Sequence, residues 1–184
     1  FNRFTKIVIS VQHDEDKDTE QLTAEIREKV IGYVFADFDL SETEILINPS
    51  GRFVVGGIDA DTGLTGRKIV ADAYGPRVPV GGGAFSGKDP SKVDRSGAYY
   101  ARYIARNIVE GGLAEKCQVS IAYAIGKAEP LAVNIDTYGT GKAADGILAT
   151  AVETVFDFKP AEIIRQLDLK KPIYSVTATG GHFG

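Results

Sequence analysis

The stretch Gly81–Ser96 reads GGGAFSGKDPSKVDRS, and it passes from glycines and prolines into a helical pattern. Its G-x-x-x-x-G-K spacing at Gly82–Lys88 is that of a phosphate-binding P-loop. The next position decides against that reading. A P-loop needs Ser or Thr there to ligate Mg2+, and its Lys opens a helix directly after a strand. Here Asp89-Pro90 follows, and the residue before a proline is disfavoured in helical conformation, so the helix must begin later, near Ser91. Downstream, Val93, Gly97, Tyr100, Ile104 and Ile108 recur at helical spacing, closed by the Gly111-Gly112 signal.

Working outward, Gly75–Lys92 and Gly56–Gly66 are both long and glycine-rich, and loops of such length in compact domains are usually functional or disordered. They carry Asp59, Asp61, Arg67, Lys68, Lys88, Lys92 and Asp94 within them or at their ends. Closely spaced glycines let backbone N–H groups approach an anion, and Lys or Arg supplies the charge, so the first physical reading is a phosphate-rich ligand. Lys88 and Lys92 stand beside a helix N-terminus, where positive charge is unfavourable unless an external anion offsets it. For Asp94 two readings stand side by side, a functional one and simple complementarity to the helix dipole. Arg67-Lys68 opens a predicted strand, in which adjacent side chains face opposite ways and only one would aim inward.

The remaining chain predicts an α+β architecture. Phe4–Gln12 alternates as a strand; Thr19–Asp37 is a helix with Leu22, Ile26, Val30 and Val34 on one side; Glu44–Asn48 and Arg52–Val55 flank Pro49-Ser50-Gly51 as a hairpin. Lys68–Tyr74, with its β-branched residues, predicts another strand. After the central helix come strands at Gln118–Ala124 and Leu131–Thr137, helices at Ile147–Phe156 and Pro160–Leu169, and a tail with a short strand candidate. The strand–helix–strand–strand order therefore occurs twice, which predicts two similar βαββ units, each a sheet with helices on one face. The expected boundary lies near Gly56–Ile58, giving domains of residues 1–57 and 58–184.

Composition narrows the function classes. The 184 residues are 43% hydrophobic and 25% charged, an ordinary globular balance. No apolar run approaches the roughly 20 residues that a bilayer crossing needs, so no membrane partner is expected. The net charge of −4 argues against general nucleic-acid binding. A lone Cys117 and the lack of a leader pattern make a reducing cytoplasm the expected compartment. Cys117 is expected to be a packed residue. His13 is read as a solvated loop residue, and the role of His182 is left open. The chain starts at Phe1 and contains no methionine, so its N-terminus is expected not to be that of a complete gene product.

Asp61–Lys68 (DTGLTGRK), Gly81–Ser96 and Tyr123–Pro130 (YAIGKAEP), in this order and spacing, resemble the carboxy-terminal part of bacterial S-adenosylmethionine synthetase (methionine adenosyltransferase). The nonapeptide Gly81–Asp89 is that family's signature; SVQH at Ser10–His13, Leu46–Gly56 and GHFG at Gly181–Gly184 extend the likeness over essentially the whole chain. The resemblance implies the central and C-terminal domains of a three-domain fold, without the N-terminal domain. It implies an activity in which the sulfur of L-methionine attacks the ribose C5′ of ATP, triphosphate leaves, and triphosphate is then hydrolysed to diphosphate and phosphate.

On the matching positions it implies catalytic roles for Lys88, Lys92 and Arg67, and ATP or triphosphate binding by Arg67, Lys68, Ala84 and Lys88, with backbone contacts to ATP from Ala84 to Gly87. Methionine binding falls to Asp61, Lys92 and Ile125, and Mg2+ to Asp94. It further implies K+ as a second cation, a homodimer or dimer of dimers with shared sites, and a fragment that does not catalyse the full reaction unaided. Two alternatives remain. One is a non-catalytic regulatory or binding relative that keeps the fold, which four retained cations argue against. The other is an unrelated nucleotide-binding protein with a phosphate loop, which the length of the match argues against.

Overall fold

A computed structural model describes residues 4–60 and 66–183. The chain divides into two units, Phe1–Gly63 and Leu64–Gly184.

In the first unit, β1 (Lys6–Ile9) and β2 (Glu44–Ile47) pair in parallel, with Ile7 opposite Ile45 and Ile9 opposite Ile47. Parallel strands need a crossover, and helix α1 (Thr19–Ile26) supplies it, running on through a π turn at Arg27–Ile31 and a last turn at Gly32–Val34. Asp18 caps α1 by accepting from the Gln21 N–H at 2.8 Å. Leu22 and Ile31 are buried from the helix and Ile7 from β1. Phe4 is met edge-on by Phe35 and Phe38, each at 5.0 Å between centroids.

Arg52–Val55 does not form the expected hairpin strand. The turn is present, with Gly51 N–H donating to Asn48 O at 2.9 Å, but the chain after it does not pair with β2, whose one strand partner among the described residues is β1. Residues 52–55 instead lie beside the segment after β1, through His13 N–H to Phe53 O at 2.9 Å and Gln12 Nε2 to Val54 O at 2.9 Å. His13 is buried rather than solvated. Its Nε2 accepts from Phe53 N–H at 3.2 Å, so its Nδ1 carries the proton donated to Asp14 O at 2.8 Å.

The second unit is organised by α3 (Val93–Glu110), preceded by the short helix α2 (Ile69–Asp72). The β-branched run at Lys68–Tyr74 had predicted a strand; it closes a helical turn, with Asp72 N–H on Lys68 O at 2.9 Å. Strand preference is realised only beside a partner edge, and this segment pairs with none among the described residues. After α3, β3 (Gln118–Ala122) and β4 (Ala132–Asp136) pair antiparallel, followed by α4 (Asp145–Val155) and α5 (Pro160–Gln166). The predicted tail strand is a 3-10 turn, Val176–Ala178. The described elements thus run strand–helix–strand in the first unit and helix–helix–strand–strand–helix–helix in the second, a mixed α+β arrangement in which the doubled βαββ order is not seen.

The core of the second unit forms where α3 turns Tyr100, Ile104 and Ile108 onto the hairpin and α5, in a cluster completed by Leu148 and Val152 of α4, which packs on β4. Tyr100, Ile104 and Ile163 are fully buried. The Tyr100 hydroxyl donates to Gln166 Oε1 at 2.7 Å, while burial pushes its pKa up to about 12. Among the described residues, no helix is long and apolar enough to cross a membrane.

Candidate functional site

The glycine-rich loop reaches α3 through two consecutive turns. Lys88 N–H donates to Phe85 O at 3.1 Å, and Gly87 occupies the third position of this turn with φ +83, a conformation costly for any side chain. Lys92 N–H then donates to Asp89 O at 3.1 Å, with Ser91 N–H on Asp89 Oδ1 at 2.8 Å. Those Ser91 hydrogen bonds lower the Asp89 pKa. Proline at position 90 delays the helix as expected: Lys92 is extended and precedes it, and its carbonyl accepts from the Arg95 and Ser96 N–H groups.

Lys88 and Asp94 are brought together across the helix start, Nζ to Oδ2 at 2.6 Å. Gly83 explains how the loop can lie so near. A Cβ built on it would stand 2.5 Å from Asp94 Cγ, so any side chain there would displace the carboxylate. Gly83 and Asp94 line a groove of about 1100 Å³ between the loop, α3 and β3, which also takes in Tyr74, Arg102 and Tyr123. Ile125 stands fully exposed on its lining, at the turn after β3.

Lys68 lines a second, smaller recess of about 160 Å³ with Ser86, Asp72, Thr177 and His182. Ala84 is half-buried on the loop between the two. Arg67, Lys88 and Lys92 line neither hollow, and Arg67 and Lys92 are exposed. Asp61 lies outside the described residues. Of the sequence-predicted set, the fold therefore joins Lys88 to Asp94 directly and puts Lys68 beside the loop at Ser86.

Sequence reasoning missed the groups that hold the loop in place. Arg95 is 5% exposed, and its guanidinium donates to Lys88 O at 2.8 Å, to the Tyr99 hydroxyl at 3.0 and 3.2 Å and to Thr177 Oγ1 at 3.3 Å. It also lies 4.2 Å from the Tyr174 ring centroid. His182, left open above, is buried and touches Tyr99 Oη through Nδ1 at 2.6 Å and Ser86 Oγ through Nε2 at 3.1 Å. Phe85 meets the His182 ring edge-on at 5.0 Å, and Phe183 stacks on Tyr74 at 4.8 Å. Burial, and then the Arg95 charge, hold the His182 pKa below its ordinary value, opposed by Asp72. The available sequence signal was an arginine on the buried face of an amphipathic helix, one turn before Tyr99.

Cys117 is half-buried and packs against the core as expected, with burial raising its thiol pKa to about 11. Among the described residues, no three His, Cys, Asp or Glu side chains converge as a metal site. Asp94 offers a carboxylate where the loop enters α3, paired with Lys88. That suits Mg2+, which is commonly held by one or two carboxylates together with substrate phosphates.

Fold and loop define an α+β chain in which a glycine-rich, lysine-bearing turn is clamped onto the start of a long helix. Residues 2–53 match the central domain of S-adenosylmethionine synthetase, and residues 55–184 match its C-terminal domain. The chain belongs to the S-adenosylmethionine synthetase family. It is 59% identical over 179 residues to an S-adenosylmethionine synthase of Deinococcus deserti and 58% identical over 179 residues to one of Deinococcus radiodurans. Each alignment covers 97% of this chain and 44% of the relative, so the chain spans less than half the length of the curated relatives it matches.

Proposed function

We propose that this chain comprises the central and C-terminal domains, residues 1–57 and 58–184, of an enzyme that forms S-adenosylmethionine from ATP and L-methionine. In that reaction the methionine sulfur bonds to the ribose C5′, the C5′–O bond breaks, and triphosphate departs with the bonding electron pair. The sulfur becomes a sulfonium. Triphosphate is then hydrolysed to diphosphate and phosphate. The leaving group carries about four negative charges, and its departure is favoured by cations and donors fixed in advance where that charge develops.

The observation that carries the reading is the Lys88–Asp94 pair, held at 2.6 Å where the glycine-rich loop enters α3. An incoming phosphate chain can take Lys88 as a cationic partner while Asp94 turns to a metal ion. Lys68, beside the loop, and Arg67 and Lys92, both solvent-exposed, supply further positive charge. Ala84 lies on the loop where backbone groups can meet ATP. Asp61, Lys92 and Ile125 are the proposed methionine contacts, with Asp61 suited to the ammonium group by charge. Bound Mg2+, held by Asp94 and phosphate oxygens, would neutralise charge on the polyphosphate. K+, a homodimer or dimer of dimers with shared sites, three related βαββ domains in the whole enzyme and a cytoplasmic setting belong to the same proposal.

The test is product formation by the full-length protein given ATP and methionine, with S-adenosylmethionine, diphosphate and phosphate all quantified. Lys88→Ala should lower kcat by a factor of about 10²–10³, the usual effect of removing one preorganised charge-stabilising group. Absence of S-adenosylmethionine, or an unaltered rate in Lys88→Ala, would overturn the reading.

A further inference from the structure

The polarity of one hydrogen-bond chain can be worked out from its ends. Arg95 has only donors, and it directs two of them, Nε and one terminal nitrogen, at the Tyr99 hydroxyl oxygen at 3.2 and 3.0 Å. Both lone pairs of that oxygen are thereby engaged. Its own proton must point at the remaining neighbour, His182 Nδ1, 2.6 Å away. Nδ1 is therefore an acceptor, and neutral His182 carries its proton on Nε2. That proton goes to Ser86 Oγ at 3.1 Å. Ser86 then accepts from His182 and keeps its own hydroxyl proton, for which no acceptor is found among the described residues. Ser86 lines the recess of about 160 Å³ that also holds Lys68 and Gly66.

Resting on the triphosphate reading of the loop, we propose that Ser86 binds the polyphosphate as a hydroxyl donor acting alongside Lys68, and that His182 is the positioning residue that turns this hydroxyl toward the recess. The tail that carries His182 is fixed to the same place. Its backbone N–H donates to Asp72 O at 2.9 Å, and Gly181, at φ +106, approaches that carbonyl so closely that an added Cβ would stand 3.4 Å from it. The segment that carries His182 thus fixes the direction in which the loop's Ser86 hydroxyl donates. The charged and titratable groups around the ring are Arg95 and Tyr99 from α3 and Asp72 from α2, with Lys68 across the recess. Arg95 disfavours a second proton on the ring. A protonated Nδ1 would also face the Tyr99 oxygen, whose lone pairs are already taken.

Titration calorimetry of the full-length protein with inorganic tripolyphosphate tests the binding role. Ser86→Ala should bind about tenfold more weakly, the size expected for one hydrogen bond to a charged group. Ser86→Thr, which keeps the hydroxyl, should bind within about twofold of the parent. If Lys68→Ala weakens binding and Ser86→Ala does not, this inference falls while the triphosphate reading stands. If the unsubstituted protein takes up no tripolyphosphate, both fall. Nitrogen-15 spectra of histidine-labelled protein near neutral pH, with the signal assigned by its loss in His182→Gln, test the positioning role without recourse to activity. They should show the proton on Nε2 alone, and a proton on Nδ1 would overturn it.

Discussion

Arg95→Ala is the substitution whose effect the structure constrains most closely. The side chain is 5% exposed and makes its shortest hydrogen bond, 2.8 Å, to Lys88 O, with longer ones to Tyr99 and Thr177. A hydrogen bond from a charged donor contributes about 1.5–3 kcal/mol, and the contact with the Tyr174 ring about 1–2 kcal/mol where water is excluded. Against these stands the cost of keeping a guanidinium out of water, several kcal/mol, which the truncation removes. The net expectation is a loss of about 2–4 kcal/mol, larger than a surface change and smaller than the sum of contacts. Arg95→Lys should recover less than half of it, because an ammonium cannot reach Lys88 O and Tyr99 together in the same fork. The chain has 8 tyrosines and no tryptophan, so urea unfolding can be followed by tyrosine fluorescence alongside circular dichroism. A loss below about 0.5 kcal/mol at unchanged m-value would refute the assignment of Arg95 as the anchor of the loop.

Other expectations follow from individual groups. Gly83→Ala should push Asp94 from its place and destabilise the chain by about 1–3 kcal/mol, a loss that Gly82→Ala, with open space around it, should not reproduce in urea unfolding. Ile163→Ala, at a fully buried position, should cost about 2–5 kcal/mol by the same assay. His182 has a depressed pKa when folded, so the unfolded chain takes up a proton first as pH falls. Its stabilising contribution is complete above the ordinary histidine value of about 6.5 and is lost as pH drops below it, a slope that His182→Gln should remove from the stability–pH curve. With its thiol pKa near 11, Cys117 should alkylate at pH 8 about a hundredfold more slowly than a free cysteine, which timed mass spectrometry can follow.

Local signals located α1, α3, α4, α5 and the β3–β4 hairpin: apolar periodicity with cap residues for α1 and α3, and a first-turn proline for α5. Proline 90 placed the start of α3 within a residue or two, since it constrains the backbone locally. The failures came where the outcome depends on a distant partner. Residues 52–55 and 69–72 have strand-forming composition, but the first segment bonds to His13 and Gln12 instead of β2 and the second meets no strand edge among the described residues, so neither becomes a strand. His13 was misread for the same reason, as its two ring partners include Phe53, forty positions away. Within the candidate site, Lys68, Lys88 and Asp94 were legible because glycine-rich loops and basic residues carry their chemistry in local sequence. Arg95, Tyr99, His182 and the side-chain role of Ser86 were not, since Ser86 and His182 are separated by 96 positions. The sequence by itself determined the helices, the glycine-rich loop and its charges. Only the tertiary structure decided which carbonyl Arg95 would hold, and so which way the histidine and the serine beside it must face, because hydrogen-bond direction is set by partners that chain order does not reveal.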